Sequence, residues 1–254
     1  MAGEVVVSVW LSPTKVRCWQ QCKLAFKRKY QERMVPVGPR PVQLAAGDLL
    51  HRCLARFHLD YPQTAADALA MLDDVVMSAI KDFTNDELTA IHGEVAAALI
   101  AYQTEVPNFV SPGYQCCTEV PLRARAGPLN LFSRADLLFT SDHVVNCVEW
   151  KRSAPQPQIH ALQASFLHLG IRQSYTAPET MTIRHMIVSF LPKLSVQTYP
   201  LDADVFHEQL RVAFGVAKEI ARARSYPPNT ESCGGCDYGL TCEHAIGALK
   251  AVSF

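Results

Sequence analysis

The stretch "HVVNCVEWKRS", residues 143–153, decides the fold. Its run Val144–Trp150 is apolar on both faces, the pattern of a central strand covered by a layer on each side. Glu149 and Lys151 stand at its end. Alternate residues of a strand share a face, so these two point one way and Trp150 the other. Charges at the end of a buried strand are costly unless they are paired or bound to a metal.

Working outward, "YQCCTEVPLRAR" (114–125) and "LNLFSRADLLFT" (129–140) read as two preceding strands, joined by short turns at "AGP" and "SDH". Asp136 then lies within a hairpin of Glu149 and Lys151, which brings two carboxylates and an ammonium together. Two hard oxygen ligands suit Mg²⁺ or Mn²⁺ and leave positions for water and a substrate phosphate. Lys151 can orient that water or oppose the negative charge developing at phosphorus. Taken alone, the same spacing also describes a surface ion pair on a hairpin.

Downstream, 157–173 reads as a helix, "RHMIVSFLP" (184–192) and "SVQTYPL" (195–201) as strands, and 203–224 as a long amphipathic helix. Upstream, "AAGDLLHRCLARFHL" (45–59) predicts a helix with His51 one turn beyond Gly47. A lone histidine there is more often a partly buried packing residue than a ligand, and its place ahead of the strand carboxylates is what raises it. Helical patterns near 64–82 and 85–105 form an insertion over 60–110. The first helix opens with Ser12 as its cap and Pro13 in its first turn. Trp19, Cys22, Phe26 and Tyr30 recur at spacings of three and four, so they share a face and Cys22 points inward.

Hydrophobic content of 49% and charged content of 19% over 254 residues describe a globular chain, not a disordered one. No apolar run approaches the length that spans a bilayer. The opening "MAGEVVVSVW" carries Glu4 and no basic segment, so it does not read as a secretory leader. A cytoplasmic, reducing location follows, and the nine cysteines, an odd number, do not read as a disulfide framework. Zero net charge excludes a chain that is polyanion-binding all over, but Lys15–Arg40 holds eight basic residues against Glu32 alone. That excess suits phosphate contacts, although on charge alone a solvated helix surface is the commoner reading. No Walker-type phosphate loop is present, which excludes an ATP-driven motor. Near the end, "SCGGCDYGLTC" (232–242) holds Cys233, Cys236 and Cys242, one thiol short of a four-cysteine metal set.

Taken in order, these motifs resemble the PD-(D/E)XK nuclease superfamily, specifically its RecB-like iron–sulfur branch, which includes the AddB nuclease domain and the CRISPR-associated RecB-like exonucleases. "LSPTKVRCWQQCKLAFKRKY" (11–30) looks like the opening helix, "GDLLH" (47–51) like the G-x-x-x-H motif and "SRADLLF" (133–139) like the metal-aspartate strand. "VEWKRS" (148–153) looks like the E-x-K strand, "QASFL" (163–167) like the glutamine helix motif and "YPPNTESCGGCDYGLTC" (226–242) like the terminal cluster loop.

The resemblance implies an α/β fold with a central mixed sheet flanked by helices. It implies one nuclease domain over 1–254, with 11–34 and 225–246 jointly forming the cluster region. Catalysis would rest on Lys151, Asp136, Glu149 and Gln163. Mn²⁺ or Mg²⁺ would sit on His51, Asp136, Glu149 and the backbone carbonyl of Trp150. A [4Fe–4S] cluster would be held by Cys22, Cys233, Cys236 and Cys242, with Cys18 the rival of Cys22 and zinc the alternative metal for four thiolates. Lys23, Lys27, Arg28 and Arg134 would contact DNA. The implied activity is a metal-dependent exonuclease that hydrolyses phosphodiester bonds at single-stranded DNA ends, in CRISPR spacer acquisition or DNA repair. Its partners would be single-stranded DNA and proteins of those systems, and self-association is compatible with the sequence. The alternative is a non-catalytic iron–sulfur DNA-binding subunit. Three positions depart from the family pattern: Lys23 replaces a proline, Leu167 a tyrosine and Ser133 a glycine. None of these removes a ligand or the lysine.

Overall fold

The computed structural model describes residues 10–38, 41–61, 64–79, 83–108, 110, 115–141, 143–154, 157–174 and 181–245. The opening segment before Trp10, Arg40, Tyr114, Asp142 and the 80–82 end of one helical pattern lie outside them. The chain begins with β1 (Trp10–Leu11), α1 (Pro13–Gln21) and α2 (Lys23–Phe26), the last running into a π-helical turn at Lys27–Gln31. Three helices follow, α3 (Val42–Asp60), α4 (Ala65–Ala79) and α5 (Asn85–Glu105). Then come β2 (Cys116–Ala126), β3 (Leu129–Ser141) and β4 (Val144–Lys151), α6 (Pro157–Ser174), β5 (Thr182–Ser189), β6 (Ser195–Tyr199) and α7 (Ala203–Arg222). Two short 3₁₀ turns, Thr230–Gly235 and Gly239–Thr241, carry the terminal cysteines.

The sheet is mixed and six-stranded, in the order β1-β3-β4-β5-β6, with β2 also on β3. β3 is long enough to serve three neighbours. β2 pairs antiparallel along it, β4 antiparallel from Leu137 to Ser141, and β1 parallel at Asn130 and Leu131. Gly127, at φ +57°, makes the tight β2–β3 turn in a conformation that few other residues adopt. β4 and β5 are parallel and connected through α6, as a crossover requires.

Helices cover both faces, which is why β4 reads as apolar throughout. On one face Leu49, Leu54 and Phe57 of α3 with Leu99 and Tyr102 of α5 share a core with Leu137, Val148 and Trp150. On the other face Leu162 and Phe166 of α6 pack with Val16 and Trp19 of α1 and with Ala217 of α7. Leu167, at the place of the family tyrosine, is fully buried against Leu122, Leu138 and Cys147. A Cβ on Gly170 would stand 2.7 Å from Leu122 Cβ, so α6 lies on β2 at a separation that only glycine allows. Among the described residues no helix is long and apolar enough to cross a membrane.

The first helix departs from the sequence expectation. It does not run through Cys22: α1 stops at Gln21 and Cys22 is extended, at φ −159° and ψ 113°. The Cys22 thiol then caps α2 by accepting from Ala25 N–H at 3.5 Å, and it accepts from Asn229 N–H at 3.4 Å. Trp19, Phe26 and Tyr30 keep their aromatic stripe, with centroid separations of 5.1 and 5.0 Å. Cys22 leaves that stripe because the break turns its side chain toward the C-terminal loop.

Candidate active site and thiol cavity

The site is built at a fork in the sheet. β3 and β4 pair from Ser141 and Val144 as far as Leu137 and Val148, and there the ladder ends. The next residues are Asp136 and Glu149. On the β2 side the register skips the same step, between Thr118↔Leu137 and Val120↔Ala135. Glu119 stands at that gap with φ +53°. Three carboxylates therefore meet where the ladder is open on both sides of β3. The Trp150 N–H donates to Asp136 Oδ2 at 2.8 Å, a side-chain bond where a ladder bond would otherwise run.

α3 lays His51 across the fork. Its Nδ1 is 3.4 Å from Asp136 Oδ1 and 3.8 Å from Glu119 Oε1, while Nε2 is 3.1 Å from the Trp150 carbonyl. Only an imidazolium can donate in both directions. Burial pulls its pKa down, but hydrogen bonds to Asp136 and Glu119 outweigh this and hold it at about 10. Burial alone would raise Asp136; His51, Lys151 and the Trp150 N–H together keep it below its ordinary value. Among the described residues, His51, Glu119 and Asp136 form the one group of three such donors lying within 4.8 Å of one another.

Glu149 sits beside this group rather than in it. Its Oε2 accepts from Lys151 Nζ at 3.1 Å and from Gln163 Nε2 of α6, and its Oε1 is buried with no partner among the described residues. Burial, and then the charge of Asp136, push Glu149 up to about 8. Burial works against the Lys151 charge, but Glu149 and Asp136 hold its pKa above the ordinary value. A buried carboxylate oxygen without a donor is unfavourable in water-free surroundings. Together with two more carboxylates and an imidazole, it makes a donor set that fits a hard divalent cation.

A cleft of about 1110 Å³ opens over His51, Glu119 and Asp136, lined also by Arg52 and Arg56 of α3 and by Arg134 and Arg152. Arg134 is 3.2 Å from Glu119, and Arg152 is 2.8 Å from Glu94 of α5. The other residues expected at DNA are placed elsewhere. Lys23 is 3.0 Å from Glu219 and Lys27 is 3.0 Å from Glu32, each also over an aromatic ring. Arg28 lines the thiol cavity.

Glu119 escaped the sequence reading, although it could have been found. Counting back from the Gly127–Pro128 turn sets it opposite Asp136. Arg17 carried no signal beyond its charge. It is half-buried with no hydrogen bond or ion pair among the described residues, and its charge bears on both Lys151 and His160.

Cys22, Cys233, Cys236 and Cys242 line one small cavity between α2 and the C-terminal loop. Cys18 does not: it packs against the apolar cluster around Trp19. Two backbone N–H groups, of Ala25 and Asn229, point at Cys22 Sγ and fix its place on the cavity wall.

The family model of the PD-(D/E)XK nuclease superfamily matches residues 10–243. Among solved structures, a candidate exonuclease from Eubacterium rectale aligns at a TM-score of 0.61 and 11% identity, over 94% of this chain and 87% of that one, which shows a shared fold. SSO0001 aligns at 18% identity over 88% of this chain and 96% of its own, with a TM-score of 0.35. None of the curated proteins matches the chain.

Proposed function

Because the chain belongs to the PD-(D/E)XK nuclease superfamily, we propose that it is a metal-dependent exonuclease acting on single-stranded DNA ends in the cytoplasm, in CRISPR spacer acquisition or DNA repair. The observation that carries this reading is the fork, where His51, Glu119 and Asp136 converge beside the Glu149–Lys151 pair. His51, Asp136, Glu149 and the Trp150 carbonyl would hold the cation, with Glu119 as a further carboxylate. The cation supplies Lewis acidity to a phosphoryl oxygen and lowers the pKa of water. Lys151, kept protonated by its two carboxylates, opposes charge on the phosphoryl group as water adds and the P–O ester bond breaks. Gln163 orients Glu149, Arg134 of the cleft wall is suited to a flanking phosphate, and Arg17 adds a charge that bears on Lys151.

The test is degradation of end-labelled single-stranded oligonucleotides with Mn²⁺, beside a circular single strand and an EDTA control. Progressive shortening of the linear strand, blocked by EDTA, with the circle intact, is the expected result. Cleavage of the circle would make the enzyme an endonuclease. Binding without cleavage would leave a DNA-binding subunit.

The thiol cavity supports the second part of the proposal, a structural [4Fe–4S] cluster tying α2 to the C-terminal loop. Four cysteines around one cavity make a ligand set that suits an iron–sulfur cluster and zinc alike, and metal analysis tells them apart. An anaerobically purified chain is expected to hold about four irons. Cys22→Ala should lose them and Cys18→Ala should keep them, as iron analysis will show; the reverse would mean that Cys18 is the ligand.

A further inference from the structure

Within the basic stretch that opens the chain, Arg28 behaves unlike its neighbours. Lys23, Lys27 and Lys29 each face a carboxylate at 3.0 Å, from Glu219, Glu32 and Asp237. Arg28 Nη1 is instead buried with no hydrogen-bond partner among the described residues. The residue lines the cavity of Cys22, Cys233, Cys236 and Cys242, whose other walls include Leu24, Ala25 and Pro228. It belongs to the π-helical turn Lys27–Gln31, closed by Glu32 N–H to the Lys27 carbonyl at 2.9 Å. Such wide turns recur at functional sites.

A guanidinium cannot shed its proton at any ordinary pH, so a buried N–H of this group needs an acceptor. The anionic acceptors that the cavity offers are the thiols themselves once they are deprotonated by a metal. We propose that Arg28 is the counter-charge of this centre, donating to a cysteine thiolate or a cluster sulfide and raising the reduction potential. The inference rests on the cluster reading given above. Four thiolates leave a [4Fe–4S]²⁺ core with net negative charge, and one-electron reduction adds another. A fixed cation beside it favours the reduced form. Arg28 would then be a positioning and potential-setting residue for the cluster rather than a DNA contact.

The experiment uses the full chain purified without oxygen, as wild type, Arg28→Met and Arg28→Lys. Iron content is measured first, then the midpoint potential by EPR-monitored titration, then affinity for a single-stranded oligonucleotide. Arg28→Met is expected to keep its DNA affinity and become about tenfold harder to reduce, a shift of about 59 mV to more negative potential for one electron. Arg28→Lys should recover most of that shift. Loss of iron in Arg28→Met with retention in Arg28→Lys also supports a charge role. A methionine variant with full iron and an unchanged potential overturns the inference, as does equal loss of iron from both variants. Weakened DNA binding at an unchanged potential returns Arg28 to the DNA surface. Wild-type chain holding zinc and no iron overturns the cluster reading, and the inference with it.

Discussion

Lys151→Ala is expected to fold and to bind single-stranded DNA, yet to cut it at least about a hundredfold more slowly, the scale of losing one preorganised group that stabilises the transition state. The expectation rests on where the ammonium is held. It is 3.1 Å from Glu149 Oε2, on the strand that runs from the fork into the buried sheet, and both Glu149 and Asp136 keep it charged. Removing it leaves a buried Glu149 with Gln163 as its remaining hydrogen-bond donor, so the carboxylate becomes still harder to ionise and the metal set weakens as well. Single-turnover rates at saturating Mn²⁺ separate the two consequences: restored metal occupancy should not restore the rate. A variant that cuts as fast as the wild type would place the chemistry elsewhere. The thermal melt should remain cooperative, because Lys151 supports none of the three core clusters.

The second large effect is the pH dependence of metal binding. A cation held as proposed needs a neutral His51 and an ionised Glu149, yet their surroundings push these groups up to about 10 and about 8. Near neutral pH the cation must displace a proton from each. Mn²⁺ affinity should therefore rise with pH, by about tenfold per unit for each proton displaced. Between pH 6 and 7 both protons count and the rise approaches about a hundredfold; above pH 8 it falls toward about tenfold, because Glu149 is then ionised already. Both folded pKa values exceed their unfolded counterparts. The stability they contribute is thus complete below the unfolded values and declines as pH climbs through about 8 and then about 10. Asp136 acts in the opposite sense, contributing above its unfolded value and losing that contribution in acid. The gain in melting temperature on adding Mn²⁺ should accordingly be larger at pH 8 than at pH 6, and calorimetry in buffers of different ionisation enthalpy should count the released protons. His51→Ala should lower the count by one and move the Mn²⁺ dependence of cleavage to higher concentration. A pH-independent affinity would mean that neither group meets the metal.

Local pattern was enough to outline the fold and the heart of the site. Strand alternation and double-faced burial set β3 and β4 side by side, and hairpin geometry then forced Asp136 toward Glu149 and Lys151. These are consequences of a two-residue period and a short turn, both of which a linear sequence records directly. The three C-terminal cysteines were equally plain, because the spacing that groups thiols within one loop is itself a sequence property. Glu119 was legible in principle through the same hairpin count, but its place at a gap in the ladder, with φ +53°, was not.

Tertiary structure alone decided the rest. The basic residues of the opening stretch look alike in sequence, yet Lys23 meets Glu219 across 196 positions and Lys29 meets Asp237 across 208. Arg28 meets no carboxylate among the described residues and lines the cavity of the thiols. Likewise the helical period of Trp19, Cys22, Phe26 and Tyr30 placed Cys22 on the aromatic stripe, and the thiol's two hydrogen bonds, one of them to distant Asn229, accompany its departure from it. Periodicity reports which face a residue would occupy if its element continued unbroken. Whether a charge is paired, or a helix breaks to deliver a ligand, depends on groups that only folding brings within a few ångströms, where desolvation makes their mutual interaction strong enough to decide the outcome.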